Sequence, residues 1–316
     1  MKIDEINEFD LINRLNDLCS TTKEPSTTLA IGDDCAQWKD ANGHTIATTD
    51  TMVQDVHYIL PCDRYKLGRR ALAINISDIA AMGGLPQHAL VSLGLVGTTE
   101  ADEIIELYRG ICDIAKEYSM DVIGGNITHS GTEFISVTVT GSAGRLLRRD
   151  AAKVGDLICV TGRIGAAAAG RESIFAGRPC SEDLADAFLT PVPRVKEGLE
   201  MNQLGIHAAI DISDGLIADL KHICDASHVG AEIYCGKLPI PDEAKKLFPN
   251  DYIDLAVYGG EDYELIFTGP EDIVGKLSFP YTVIGKITST EGVKIYDEKG
   301  DDFSFVKAKA WKHFAE

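Results

Sequence analysis

The feature that most constrains this chain is the stretch Ala47-Thr48-Thr49-Asp50-Thr51, where an apolar strand runs into hydroxyls and a carboxylate. Ile46 and Ala47 suit a buried strand. The two threonines and Asp50 then set hard oxygen ligands where the backbone leaves the sheet, a grouping that attracts Mg²⁺ or another hard cation. Asp and Thr after a strand also serve as ordinary turn and cap residues, so the stretch decides nothing alone. Its weight comes from four further acidic segments of the same look, distributed along the chain.

At 316 residues the chain is long enough for two domains, each with its own core. The 49 acidic against 30 basic side chains give a formal charge of -19, which argues against a broad nucleic-acid surface or an anionic membrane partner. An acidic protein that binds a polyphosphate must neutralise it locally, so a nucleotide ligand would imply divalent cations. No basic segment followed by an apolar one opens the sequence, and no apolar run reaches membrane-spanning length, so the expected compartment is the cytoplasm. The 8 cysteines form no Cys-x-x-Cys pair and read as free core thiols.

In chain order, Phe9, Ile12, Leu15 and Leu18 predict a short amphipathic helix, and 28–36 reads as a strand carrying Gly32-Asp33-Asp34. Two adjacent carboxylates suit a solvated turn, or a buried site with a cation between them. His57 is either a substrate contact or a satisfied polar residue at a sheet margin. The segment 64–82 is helical, and Asn75 and Asp78 fall on its apolar stripe with Leu67, Ala71, Ile74 and Met82. A charge on a buried face must be paired or bound to metal, which makes Asp78 the most informative of these acids.

Strands are expected over 89–96, 121–126 and 135–140, with a helix over 101–118. Gly124-Gly125-Asn126 permits close approach of a phosphate or metal, and serves a plain turn equally well. Arg145, Arg148 and Arg149 mark the expected junction, dividing the chain into 1–145 and 146–316; they can clamp phosphates or decorate a linker.

In the second half, 156–161 is a strand, 164–175 and 194–204 are helices, and 208–215 is an apolar strand discharging Asp211, Ser213 and Asp214 at a helix start. Ile-Ser-Asp occurs at 76–78 and again at 212–214. Late strands are expected at 265–268, 281–287 and 293–296, and the tail carries Trp311 and Phe314. Phosphate loop, dinucleotide fingerprint, nucleophile elbow and zinc-protease motifs are all missing from the sequence.

Together, Ile31-Gly32-Asp33-Asp34-Cys35-Ala36, Thr48-Thr49-Asp50-Thr51 with His57, Asn75 to Gly83, Asp211 to Leu216 and Gly259 to Leu265 resemble the thiamine-monophosphate kinases. That family stands in the superfamily of aminoimidazole ribonucleotide synthetase and selenophosphate synthetase. The resemblance covers nearly the whole chain in the right order.

It implies transfer of the γ-phosphate of ATP to thiamine monophosphate by direct in-line attack. Asp33, Thr48, Thr49, Asp50, Asp78, Asp211 and Asp214 would hold several Mg²⁺ ions around the triphosphate. Tyr108, Gly125, Arg149 and Ser213 would contact ATP, and His57, Glu261 and Trp311 would bind thiamine monophosphate. The implied fold is mixed α+β with two domains: an N-terminal mixed sheet with helices whose homodimer forms a barrel, and a C-terminal α/β sandwich.

Asn126 stands where the family usually has aspartate, keeping a carbonyl oxygen for metal and nucleotide but losing a charge. Two other readings stay open: another ATP-using superfamily member such as aminoimidazole ribonucleotide synthetase, and a catalytically weak thiamine-phosphate binder. Selenophosphate synthetase is disfavoured, because no reactive cysteine followed closely by lysine is read in the N-terminal segment, the pair nearest the N-terminus being Cys19 and Lys23.

Overall fold

The helix expected over 64–82 forms as α1 (Arg64–Ala81), and the molecule is arranged about it. In this computed structural model the described residues are 26–30, 32–40 and 43–297, together with Ile12. Asp63 caps α1 by accepting the Lys66 N–H at 3.0 Å. Leu67, Arg70, Ala73, Asn75 and Ile79 are all buried although they point in different directions, so the helix lies between layers rather than on a surface.

One side of α1 packs on a six-stranded sheet of order β1-β2-β3-β6-β4-β5. These strands are β1 (Thr27–Leu29), β2 (Ala36–Asp40), β3 (Gly43–Val53), β4 (Leu85–Leu95), β5 (Asp121–His129) and β6 (Phe134–Ala143). Ile46, Met52, Val91, Val137 and Val139 meet Leu67, Ala71 and Ile74 in its core. Helix α2 (Ala101–Glu117) links β4 to β5, which pair in parallel, and buries Leu107, Ile111 and Ala115.

The second sheet has the order β12-β9-β11-β7-β10-β8. Its strands are β7 (Leu157–Thr161), β8 (Ala208–Asp211), β9 (Gly230–Tyr234), β10 (Leu265–Gly269), β11 (Tyr281–Thr288) and β12 (Gly292–Tyr296). Both its faces are covered, and alternation divides them. Ile158, Val160, Ile210 and Ile266 enter one core, while Cys159, Ala209, Leu265 and Phe267 enter another. Helices α3 (Ala166–Phe175), α4 (Glu182–Leu189), α5 (Val195–Leu204) and α6 (Leu216–Ser227) complete this half with several shorter ones.

Helix α5 seals the contact between the halves. A Cβ on Gly198 would lie 2.2 Å from the Ala80 carbonyl oxygen, so only glycine lets α5 and α1 approach this closely.

The single strand expected over 28–36 is two, β1 and β2, separated by a bend at 32–35; Gly32, at φ 131°, turns the chain there and aims Asp33 and Asp34 inward. Strand β9 and helix α4 were not expected, since both are too short to establish a period. Of the predicted N-terminal helix only Ile12 is described, and it is helical; the remainder lies outside the described residues. Among the described residues no helix is long and apolar enough to cross a membrane.

Candidate active site

Three side chains of α1 tie the two sheets to one point. Asp78 accepts the Thr48 hydroxyl of β3 at 2.5 Å. Asn75 accepts the Asp50 N–H at 3.0 Å and is itself held by donating to Ala71 at 3.1 Å. Ser77 donates to Asp211, at the end of β8, at 2.6 Å. Asn75 and Asp78, three residues apart on one face, thus turn to β3, while Ser77, on another face of the helix, reaches the second half.

Asp34, Asp78 and Asp211 each bring a carboxylate oxygen within 4.8 Å of the others. At that separation each pair of charges repels by roughly 3 to 4 kcal/mol at an effective dielectric near 20. The compensating cation is Arg149, which donates to Asp34 at 2.6 Å, lies 3.7 Å from Asp33 and also donates its N–H to Asp33 at 3.3 Å. One guanidinium cannot balance Asp33, Asp34, Asp50, Asp78 and Asp211.

The surroundings push these acids toward their protonated forms. Burial, reinforced by neighbouring aspartates, pushes Asp50 up to about 6, Asp33 to about 7 and Asp211 to about 8, and lifts Asp78 well above its usual range. For Asp50 the Asp78 side chain partly offsets that rise. Cys35, 1 % exposed beside them, is pushed up by burial and by Asp78, so it is a packing thiol rather than a nucleophile.

Asp219, in the first turn of α6, accepts the N–H groups of Ser213, Asp214 and Gly215, each at 3.1 Å. The helix end is thus satisfied from within, and the loop presents the side chains of Ser213 and Asp214 rather than its amides.

Asp50, Ser213 and Asp214 also line a cavity of about 520 Å³, together with His57, Arg171, Phe175 and Glu261. His57 accepts the Val53 N–H on Nδ1 at 3.0 Å, which places the proton of the neutral ring on Nε2. The acids of the segment 259–265 divide their work. Glu261 enters the cavity, with φ 66°, and pairs with Arg70 at 2.6 Å. Burial alone would raise its pKa, but the charge and hydrogen bond of Arg70 hold it below the usual carboxylate range. Asp262 instead caps α3 by accepting from Gly165 at 2.7 Å and Ala167 at 3.0 Å, and Glu264 pairs with Arg194.

The remaining expected residues fall elsewhere. Thr49 lies on the opposite face of β3 from Thr48 and Asp50 and donates to Val137 at 3.0 Å, because side chains alternate along a strand; its hydroxyl does not join the cluster. Gly125 and Asn126 sit on the edge strand β5, separated from β3 by β6 and β4, or roughly 14 Å at the usual strand spacing. Within one chain they do not reach the acids. A Cβ on Gly125 would lie 1.8 Å from the Val91 oxygen, so its glycine is explained by close approach of β4 and β5. Tyr108 packs from α2 against the N-terminal core, and Trp311 lies outside the described residues.

Sequence reasoning missed Asp34, Asp219, Arg70 and Arg171 as members of this region. Only Asp34 carried a signal, as the second carboxylate of Gly32-Asp33-Asp34.

The chain matches the models "AIR synthase related protein, N-terminal domain" over residues 32–143 and "AIR synthase related protein, C-terminal domain" over 153–298. It is 34% identical over 321 residues to the thiamine-monophosphate kinase of Aquifex aeolicus strain VF5, covering 99% of this chain and 100% of that one. It is 37% identical over 325 residues to that of Escherichia coli strain K12, covering 98% of each. Among solved structures, AaThiL complexed with AMPPCP and TMP superposes with a TM-score of 0.89 at 32% identity, covering 99% of both chains. The hydrogenase maturation protein HypE gives 0.73 at 18% identity, covering 97% of this chain and 99% of that one, and shares the fold. With both halves matched in order and full-length relatives above one third identity, this chain belongs to the thiamine-monophosphate kinase family of AIR synthase related proteins.

Proposed function

We propose that this chain phosphorylates thiamine monophosphate with ATP, giving thiamine diphosphate by direct in-line transfer. The observation that carries this reading is the acid cluster of Asp34, Asp78 and Asp211, with Asp50 and Asp214 lining a cavity, in a chain that superposes on a structure holding AMPPCP and TMP. Phosphoryl transfer asks chiefly for alignment and charge neutralisation, and this arrangement offers both. The acceptor phosphate is its own nucleophile, in keeping with the buried, protonated state of Cys35.

The donor set fits Mg²⁺: all its atoms are hard oxygens, they converge, and their charges exceed the basic side chains beside them. Asp34, Asp78 and Asp211, with Asp33, Thr48, Asp50 and Asp214 around them, would hold it. Bound there, Mg²⁺ would supply charge neutralisation for the triphosphate. On the protein side, Arg149 and Ser213 are assigned to the nucleotide phosphates, and His57, Glu261 and Trp311 to the acceptor.

The reading includes a homodimer. Edge strand β5 exposes Ile123 at 60% and Ile127 at 62%, an apolar edge that a second copy would cover as the N-terminal sheets close into a barrel. Pairing there would also give Tyr108, Gly125 and Asn126 a nucleotide to contact. The division into domains 1–145 and 146–316 is supported by the two sheets, and the cytoplasm by use of ATP and by the free cysteines among the described residues.

A coupled ADP-release assay tests the reading, with thiamine monophosphate as acceptor and formylglycinamidine ribonucleotide as control. Turnover on the first alone is expected. Turnover on the second would select the synthetase, and binding of the first without turnover would select a binder.

A further inference from the structure

Arg70 is 2% exposed, and a guanidinium so far from water needs fixed partners to offset its lost hydration. It has three. One terminal nitrogen donates to the Glu261 carboxylate at 2.6 Å and the other to the His57 carbonyl at 2.9 Å, while Cζ stands 3.9 Å from the centre of the Phe188 ring. Phe188, on α4, in turn meets Phe175 edge-on, with ring centres 5.9 Å apart, and Phe175 lines the cavity. From behind the cavity wall, then, one side chain holds the loop after β3, the 259–265 segment and, through Phe188, the end of α3.

We propose that Arg70 is a positioning residue for the acceptor: it fixes Glu261 against the His57 segment and so sets affinity for thiamine monophosphate. This rests on the assignment of the cavity to that acceptor. Glu261 adopts a backbone conformation that non-glycine residues rarely take, held on one side by its N–H donating to Ser213 at 2.8 Å and on the other by Arg70. A planar guanidinium reaches two acceptors at once from a rigid fork. Lysine would keep the charge on Glu261 and give up the second contact. Arg70 makes no ion pair or hydrogen bond to Asp34, Asp78 or Asp211 among the described residues and reaches the nucleotide side only through Glu261, so its larger effect should fall on the acceptor.

Steady-state kinetics on the full chain test this, with thiamine monophosphate and ATP varied separately for wild type, Arg70→Met, Arg70→Gln and Arg70→Lys. Arg70→Met should raise KM for thiamine monophosphate about tenfold, with kcat within about threefold and KM for ATP within about twofold. Arg70→Gln should fall between Met and wild type, and it replaces the Met variant if that chain does not fold. Arg70→Lys should recover most of the loss. A role in folding alone would lower kcat without this selective rise, and that result overturns the inference. So does a KM for thiamine monophosphate that stays within about twofold in both neutral variants. A wild-type protein without turnover would overturn the functional reading itself, and with it the role given to Arg70, whereas the variants' kinetics bear on Arg70 alone.

Discussion

Glu133 and Asp211 are equally withdrawn from water, at 3% exposure each, and they behave in opposite ways. Glu133 faces Arg64 at 2.7 Å and also accepts from Thr99. Burial would raise its pKa, but those partners hold it below the usual range. Asp211 faces the Ser77 hydroxyl and a set of other aspartates, and burial with their charges lifts it to about 8. Both are shielded from water, though Asp211 is the more deeply enclosed. The charge across the gap differs, and it separates acids that secure the fold from acids arranged for a cation.

The comparison can be broken most directly by neutralising one acid of each kind. Asp78→Asn should reduce kcat by about a thousandfold, roughly 4 kcal/mol of transition-state stabilisation, while the metal-free protein melts no lower than wild type. Glu133→Gln should do the reverse: a loss of about 1 to 2 kcal/mol in denaturant unfolding, because Arg64 loses one of two carboxylate partners and keeps Glu103 at 2.6 Å, with turnover per folded molecule unchanged. If both variants lost activity and stability alike, the distinction would fail.

A pH series sharpens it. Asp33, Asp50 and Asp211 carry raised values in the folded state, so their contribution to stability is complete below the unfolded carboxylate pKa and is lost as pH climbs through the folded values of about 7, 6 and 8. His222, lowered by burial to about 4, opposes this as pH falls below its unfolded value, but it is one group against several. Without Mg²⁺, Tm should therefore fall by several degrees between about pH 5.5 and 7.5, and saturating Mg²⁺ should flatten the slope. Glu133, lowered in the folded state, contributes stability that is present above the unfolded pKa and lost only in more acid solution, outside this window.

The smallest expected effect is at Asn126. Restoring aspartate there should lower the Mg²⁺ concentration for half-maximal activity by about threefold, provided the edge strand faces a site in the assembled dimer. An unchanged or higher requirement would remove Asn126 from the ligand set.

Much of this was legible in the sequence because the relevant signals were periodic. Asp78 on an apolar stripe could be seen to need a partner, and strands over 46–51 and 208–211 ended visibly in oxygen ligands. Asp34 was obscured because adjacency in sequence does not say which of two carboxylates turns toward a neighbour; the bend at Gly32 decides that. Thr49 was over-counted for the converse reason, since a run of hydroxyls in a strand divides between two faces. The roles of Asp219 and Arg70 depend on contacts with backbone groups and with residues far along the chain, which no local period encodes. Of the three acids in 259–265, only their partners show that Glu261 enters the cavity while Asp262 and Glu264 secure α3 and α5.

The most direct measurement is calorimetric titration of the full chain with Mg²⁺ and a non-hydrolysable ATP analogue, near pH 6.5, in two buffers of different ionisation enthalpy. Carboxylates crowded enough to keep protons must give them up to a cation, so the two heats should differ by release of at least about one proton per site. Equal heats in both buffers, or Mg²⁺ and analogue each binding as tightly alone as together, would mean that Asp34, Asp78 and Asp211 are not gathered for a metal.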